Sequence, residues 1–173
     1  WYVTVGNYMG AVGMADSIYW AYTVNPIAAI AAPFFLGMIA DRYFATEKVL
    51  GVLHLIGGAA LLIAPMFEDA PLLFILALLV HSLCYTPTLG LANALAFHHI
   101  AAGDATDGAQ QKRFPLIRVF GTLGWIVAGL IVSAVLHADE TALPLLVAGA
   151  GALLLGVYAF TLAHRAPPLA GTR

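Results

Sequence analysis

Charge is what this sequence has least of. Only 9% of its 173 residues are Asp, Glu, Lys or Arg, whereas a soluble domain carries about 25%. Too few charges exist to cover the surface of a water-soluble globule. Seven Lys and Arg against nine Asp and Glu leave no basic field, which argues against nucleic acid as a partner. A single cysteine excludes a disulfide framework and any Cys-rich metal site. The chain begins without Met or a charged leading region, so residues 1–9 do not read as a signal peptide. It has no Gly-x-Ser-x-Gly elbow for acyl chemistry. His98 and His99 have no acidic or Cys partner at ligand spacing, which argues against a metal site. The expectation is a protein that is not an enzyme and holds no cofactor or metal.

What is there is apolar. Hydrophobic residues make up 62% of the chain, and the mean hydropathy is +0.92. A bilayer core accommodates about 20 apolar residues as helix, and unsatisfied backbone groups forbid most alternatives. Five such stretches occur, at about 17–40, 49–67, 71–97, 114–136 and 142–163. Residues 1–9 are apolar and aromatic but too short to span, and read as the tail of a helix whose beginning is absent. The predicted fold class is an all-α membrane protein, a six-transmembrane-helix bundle with its first helix truncated.

Charge in the connectors supports that count independently. Segments 9–16, 67–70 and 137–141 carry Asp16, Glu68, Asp69, Asp139 and Glu140 and no base. The alternate segments, 41–48, 98–118 and 165–173, hold Arg42, Lys48, Lys112, Arg113, Arg118, Arg165 and Arg173, every base in the chain. This alternation is the positive-inside pattern. It predicts a multi-pass protein of the plasma (cell inner) membrane, with the basic loops and the carboxy-terminal end cytoplasmic. Residues 98–113 read as a cytoplasmic loop separating two groups of three helices, because Gly103-Asp104-Ala105-Thr106-Asp107-Gly108 is turn chemistry. All nine acids lie in connectors or at helix ends and, apart from Asp41, read as solvated. His54 and His81 are left as the only deep titratable groups with a suitable pKa.

Polar residues inside the spans are candidates for function. In the fifth span, Arg118, Thr122, Trp125, Gly129 and Ser133 form one stripe about 22 Å long. A guanidinium facing lipid is costly, so the stripe should face protein or water, although Arg118 near a helix end can also snorkel to the interface. Pro115 suits a first helical turn. In the fourth span Pro87 should kink the helix, with Thr86 or Thr88 able to satisfy freed carbonyls. His81, Tyr85 and Thr88 share one face there, and Thr86, Gly90 and Asn93 another. The amide of Asn93 needs another helix or a polar ligand. Asn25-Pro26 and Pro33 interrupt the second span, either as cavity-lining breaks or as packed kinks. Trp1 and Thr4 can join a cavity face, whereas the Gly149-Ala150-Gly151-Ala152 run suits close helix packing.

The connector Gly37-Met38-Ile39-Ala40-Asp41-Arg42-Tyr43-Phe44-Ala45-Thr46-Glu47-Lys48 resembles the signature loop between helices two and three of the major facilitator superfamily. Two further strings narrow the family: Tyr85-Thr86-Pro87-Thr88-Leu89-Gly90-Leu91-Ala92-Asn93 and the run from Phe114 to Trp125. They resemble helices four and five of the nucleoside:proton symporters, and the opening Trp1-Tyr2-Val3-Thr4-Val5-Gly6-Asn7-Tyr8-Met9 is similar to the second half of that family's helix one. The resemblance spans the whole chain but only the amino-terminal half of the family. It implies one half of a major facilitator fold, with a missing carboxy-terminal six-helix bundle as partner and a nucleoside and a proton as cargo. It further implies that Arg118, Thr122 and Trp125 contact the nucleoside, Trp125 standing where relatives usually carry Phe, with Asn93 and Thr4 as weaker contributors. Gly37, Asp41, Arg42 and Lys48 match the gating loop. The proton-coupling group is expected in the missing bundle. Two rival functions stay open on the sequence: a facilitator for another small polar solute such as a sugar, and a non-transporting membrane scaffold or oligomeric pore.

Overall fold

The computed structural model describes residues 1–32, 44–103 and 109–164. Among these residues the chain is all-α. Six helices follow in order: α1 (Val5–Ala11), α2 (Ile18–Ala32), α3 (Thr46–Ile63), α4 (Pro71–Gly103), α5 (Ala109–Leu130) and α6 (Leu143–Ala159). A 3-10 turn, Ala64–Phe67, extends α3, and a π-helical turn, Ile131–Val135, extends α5. Three helical stretches, Thr46–Phe67, Pro71–Ala102 and Lys112–Val135, are long and apolar enough to cross a bilayer. The calls on Pro33, Gly37, Asp41 and Arg42 lie outside the described residues, as do Asp104, Asp107, Arg165 and Arg173.

The largest difference from the sequence reading lies in the 98–113 segment. α4 continues as helix to Gly103, and α5 starts at Ala109. Pro115 therefore sits inside α5, and not in its first turn. The physical reason is local: Ala, Gln, Lys and Arg at 109–113 are good helix formers and extend the helix backwards from the span. Helix also runs unbroken through Pro26 and Pro87. Beside Pro87, the Thr86 hydroxyl donates to the Ser82 carbonyl at 3.0 Å and the Thr88 hydroxyl donates to the Tyr85 carbonyl at 2.6 Å. These bonds occupy carbonyls around the proline, where the missing N–H weakens the ladder.

Two apolar clusters hold the helices together. The larger joins α1, α2, the end of α3 and the starts of α4 and α6, through Val5, Met9, Val24, Leu61, Phe74 and Leu145. The smaller joins the opposite ends of α3, α4 and α6 through Leu50, Leu95 and Ala159. Between the clusters, α3 and α6 run antiparallel and touch through glycines. A Cβ on Gly58 would lie 2.9 Å from the Gly149 carbonyl oxygen, and one on Gly149 would lie 3.0 Å from the Gly58 carbonyl oxygen. Two turns away, a Cβ on Gly156 would lie 3.0 Å from the Gly51 carbonyl oxygen. Backbone meets backbone here, and only residues without side chains allow it.

α5 is arranged differently. Every residue from Pro115 to Ile131 is exposed. Phe97 of α4 and Phe114 of α5, with ring centroids 4.3 Å apart, hold its first turns to the bundle. At its other end the Ser133 hydroxyl donates to the Asp139 carboxylate at 2.6 Å.

The acids require one correction. Glu47, in the first turn of α3, is not solvated: it is only 3% exposed, and its carboxylate lies 2.8 Å from Nδ1 of His164 beyond α6. A carboxylate removed from water needs such a partner, and α6 brings one from 117 residues away.

The glycine contacts make a direct prediction. Gly58→Leu must push α3 and α6 apart, and overpacking of this kind costs about 1–3 kcal/mol. The detergent-solubilised variant is expected to unfold at a clearly lower temperature than the parent. Gly90→Ala, where nothing lies within 4 Å, is expected to be neutral or mildly stabilising. Equal thermal midpoints for Gly58→Leu and the parent would show that the contact is not limiting.

Candidate functional site

Two cavities open between α5 and the rest of the bundle. The first has a volume of about 470 Å³, within the range of about 300–1,000 Å³ usual for small-molecule sites. Trp1 and Tyr2 contribute from the amino terminus and Asn25 from α2. α3 supplies His54, α4 supplies His81, Ser82 and Tyr85, and α5 supplies Trp125. Ala148, Gly151, Ala152 and Leu155 of α6, with Leu61 of α3, form the remaining wall. No Asp, Glu, Lys or Arg is among the described residues lining it.

The second cavity, about 480 Å³, adjoins the first and shares Trp1, Trp125 and Ala148 with it. It adds Thr4 from the amino-terminal turn, Gly129 and Ser133 from the α5 stripe, and Pro144 and Val147 from α6. Its lining is more apolar than that of the first. The Thr4 hydroxyl itself donates to the Trp1 carbonyl at 3.2 Å, which ties down the turn carrying both residues.

The residues singled out from the sequence thus separate into groups. Trp125 and Thr4 come together at the second cavity, and Trp125 also faces the first. Arg118 and Thr122 line neither cavity. They lie on the exposed surface of α5, one and two turns before Trp125, with the Thr122 hydroxyl 3.5 Å from the Arg118 carbonyl. Asn93 is half-buried, further along α4 and away from both cavities. Lys48 is exposed at the start of α3. The α5 stripe therefore divides: Trp125, Gly129 and Ser133 face the bundle across a gap, whereas Arg118 and Thr122 stand beyond the cavity walls.

The cavity also recruits residues that periodicity did not single out. Tyr2, in the turn before α1, and Ser82, buried on α4, join the wall, and neither follows a polar stripe. Ser82 is fully buried, and its hydroxyl has no hydrogen-bond partner among the described residues. The signal available for the far wall was the run of small residues 148–152, which reads as packing but also leaves space beside the seam.

Around His81 the packing is specific. Its Nδ1 lies 3.0 Å from the Gly57 carbonyl oxygen of α3. Tyr85 stacks on its face, with centroids 5.6 Å apart and planes 14° from parallel. The ring also meets Trp1 edge-on at 5.2 Å. Aromatic pairs in these geometries add to simple area burial. The cavity is thus an uncharged chamber with aromatic faces and a few hydrogen-bonding groups, suited to a neutral, flat, polar molecule.

The chain matches the nucleoside H+ symporter family over residues 1–173. Among curated relatives, YegT of Escherichia coli is 36% identical over 99% of the chain, and the xanthosine permease of the same organism is 36% identical over 94% of it. The chain spans only 40% and 38% of their respective lengths. A crystal structure of a mutant of the nucleoside transporter NupG superposes with a TM-score of 0.88 at 30% identity, covering 97% of this chain and 41% of that one. The six helices thus have the arrangement of one half of a major facilitator fold, in a multi-pass membrane protein. The extent of the family match settles membership: this chain belongs to the nucleoside H+ symporter family.

Proposed function

We propose that this bundle is the amino-terminal half of a proton-coupled nucleoside transporter that works by alternating access. The observation that carries the reading is a family match along the entire chain, on a bundle that encloses an uncharged, aromatic-lined cavity. In such folds the substrate is held near the midplane between two bundles, which rock about it. The partner of this bundle is a second set of six helices, and the cargo is a nucleoside with a proton.

On this reading the exposed surface of α5 is the face that meets the second bundle. Arg118 donates hydrogen bonds to the nucleoside, Thr122 assists, and Trp125 stacks on a base or ribose face. Thr4 and Asn93 contribute less. An intramembrane guanidinium with open surface around it needs a polar partner, and a substrate held between bundles provides one. Gly37, Asp41, Arg42 and Lys48 form the gating loop, on the cytoplasmic side of the cell inner membrane by the distribution of bases.

Transport then requires both bundles. Proteoliposomes holding this chain alone are expected to accumulate no labelled nucleoside above protein-free vesicles. Accumulation by the chain alone would overturn the half-transporter reading.

The substrate contact is tested in the complete two-bundle protein. Arg118→Ala removes a charge-assisted hydrogen bond, at a cost of about 1.5–3 kcal/mol, or roughly 10- to 150-fold in affinity. Membrane insertion should be unchanged. Arg118→Lys keeps the charge but loses the planar fork, and should recover affinity only in part. Normal nucleoside binding by the Ala variant would remove Arg118 from the site.

A further inference from the structure

Within the cavity, His81 is held by contacts on several sides. Its Nδ1 faces a backbone carbonyl, that of Gly57, at 3.0 Å. A carbonyl oxygen only accepts, so Nδ1 carries the proton, and in the neutral ring Nε2 is left with its lone pair. The ring cannot readily turn away from this setting. Tyr85 covers its face, Trp1 abuts it edge-on, and Gly57 lies so close that a Cβ there would be 3.4 Å from Nδ1. Among the described residues no protein donor reaches Nε2. The residue itself forms part of the cavity wall. The result is an acceptor held in place before any ligand arrives, which limits the entropy lost on binding.

We propose that His81 is a specificity-determining residue of this cavity, its Nε2 accepting a hydrogen bond from a sugar hydroxyl of the nucleoside. The proposal rests on the nucleoside reading above. The choice of the sugar follows from chemistry. An acceptor requires a donor, and hydroxyls are the donors that every ribonucleoside carries whatever its base. The flat base is served by the aromatic faces of the same chamber, Trp125 among them. No Lys or Arg is among the described residues lining the chamber around His81, so the hydrogen-bonding groups there are neutral, as a sugar hydroxyl requires.

The test uses the complete two-bundle protein, purified in detergent, with uridine and adenosine and their 2′-, 3′- and 5′-deoxy analogues as probes. Wild-type protein is measured first. Failure to bind either parent nucleoside would defeat the nucleoside reading itself. Binding of both parents with no discrimination against any deoxy analogue would leave that reading standing and overturn the role of His81. The expected result is that one deoxy position weakens binding by about 3- to 10-fold, the range for a neutral hydrogen bond.

The variants then assign that loss to a residue. His81→Asn places an amide nitrogen where Nδ1 was, able to keep the Gly57 bond, and leaves nothing at the Nε2 position. It should weaken both parents by the same about 3- to 10-fold factor and leave the one sensitive deoxy analogue unchanged. His81→Gln reaches the Nε2 position and should restore part of the discrimination. An equal loss for parents and all deoxy analogues in His81→Asn would show that the residue only joins α3 to α4, and the proposal would fail. Undiminished binding of the parents by that variant would also overturn it. Should His81→Asn not be recovered folded, the wild-type analogue series and His81→Gln still decide the matter.

Discussion

The contact on which this architecture depends is glycine against glycine between α3 and α6. Gly58 meets Gly149 and Gly51 meets Gly156 with carbonyl oxygens close to where side chains would begin. In a bilayer no hydrophobic force drives helices together, because lipid is as apolar as leucine. Association relies on close packing and on backbone groups already satisfied within each helix. The seam brings the α6 backbone against α3 and presents the small side chains of residues 148–152 beside the cavity. α4 lies against another face of α3, where Gly57 accepts the His81 hydrogen bond. The cavity width therefore follows from three glycines of one helix and their neighbours.

The opposite wall is built on another principle. α5 is held near its ends and is exposed along the length between them. For a helix in lipid, exposed Leu, Ile, Val and Phe cost nothing, since the surroundings are as apolar as a protein core. Arg118 and Thr122 on the same helix are different, because polar groups at depth need partners. The helix thus combines surfaces suited to lipid with a polar surface suited to a ligand or a second bundle. A chain spanning about two fifths of its relatives fits that division of labour.

Much of this was legible from the sequence alone, and for definite reasons. The membrane class followed from hydropathy, because a bilayer needs about 20 apolar residues per crossing, and three described helices are long and apolar enough to cross one. The motif strings from Tyr85 to Asn93 and from Phe114 to Trp125 indicated the family that the whole-chain match established. Packing by the Gly149–Ala152 run could be anticipated, since small residues in an apolar helix have few other uses. Element ends were less legible. At 98–113 two tendencies compete: glycine and aspartate favour a turn, while Ala, Gln, Lys and Arg favour helix, and the described residues, to Gly103 and from Ala109, are helical.

Other features were decided only by tertiary structure. Burial of Glu47 depends on His164, a partner 117 residues distant, and no local pattern distinguishes a solvated acid at a helix start from a paired one. His81 likewise reads as a packing residue until a carbonyl from α3 fixes its ring in the wall of the chamber. Tyr2, Ser82 and Ala148 share a wall because the amino-terminal turn, α4 and α6 converge there. What the sequence determined by itself was an all-α membrane class and the family to which the chain belongs, because both depend on composition and short-range order. Only the tertiary structure decided which polar groups meet, because hydrogen bonds act over about 3 Å, between residues whose separation along the chain carries no information about their distance in space.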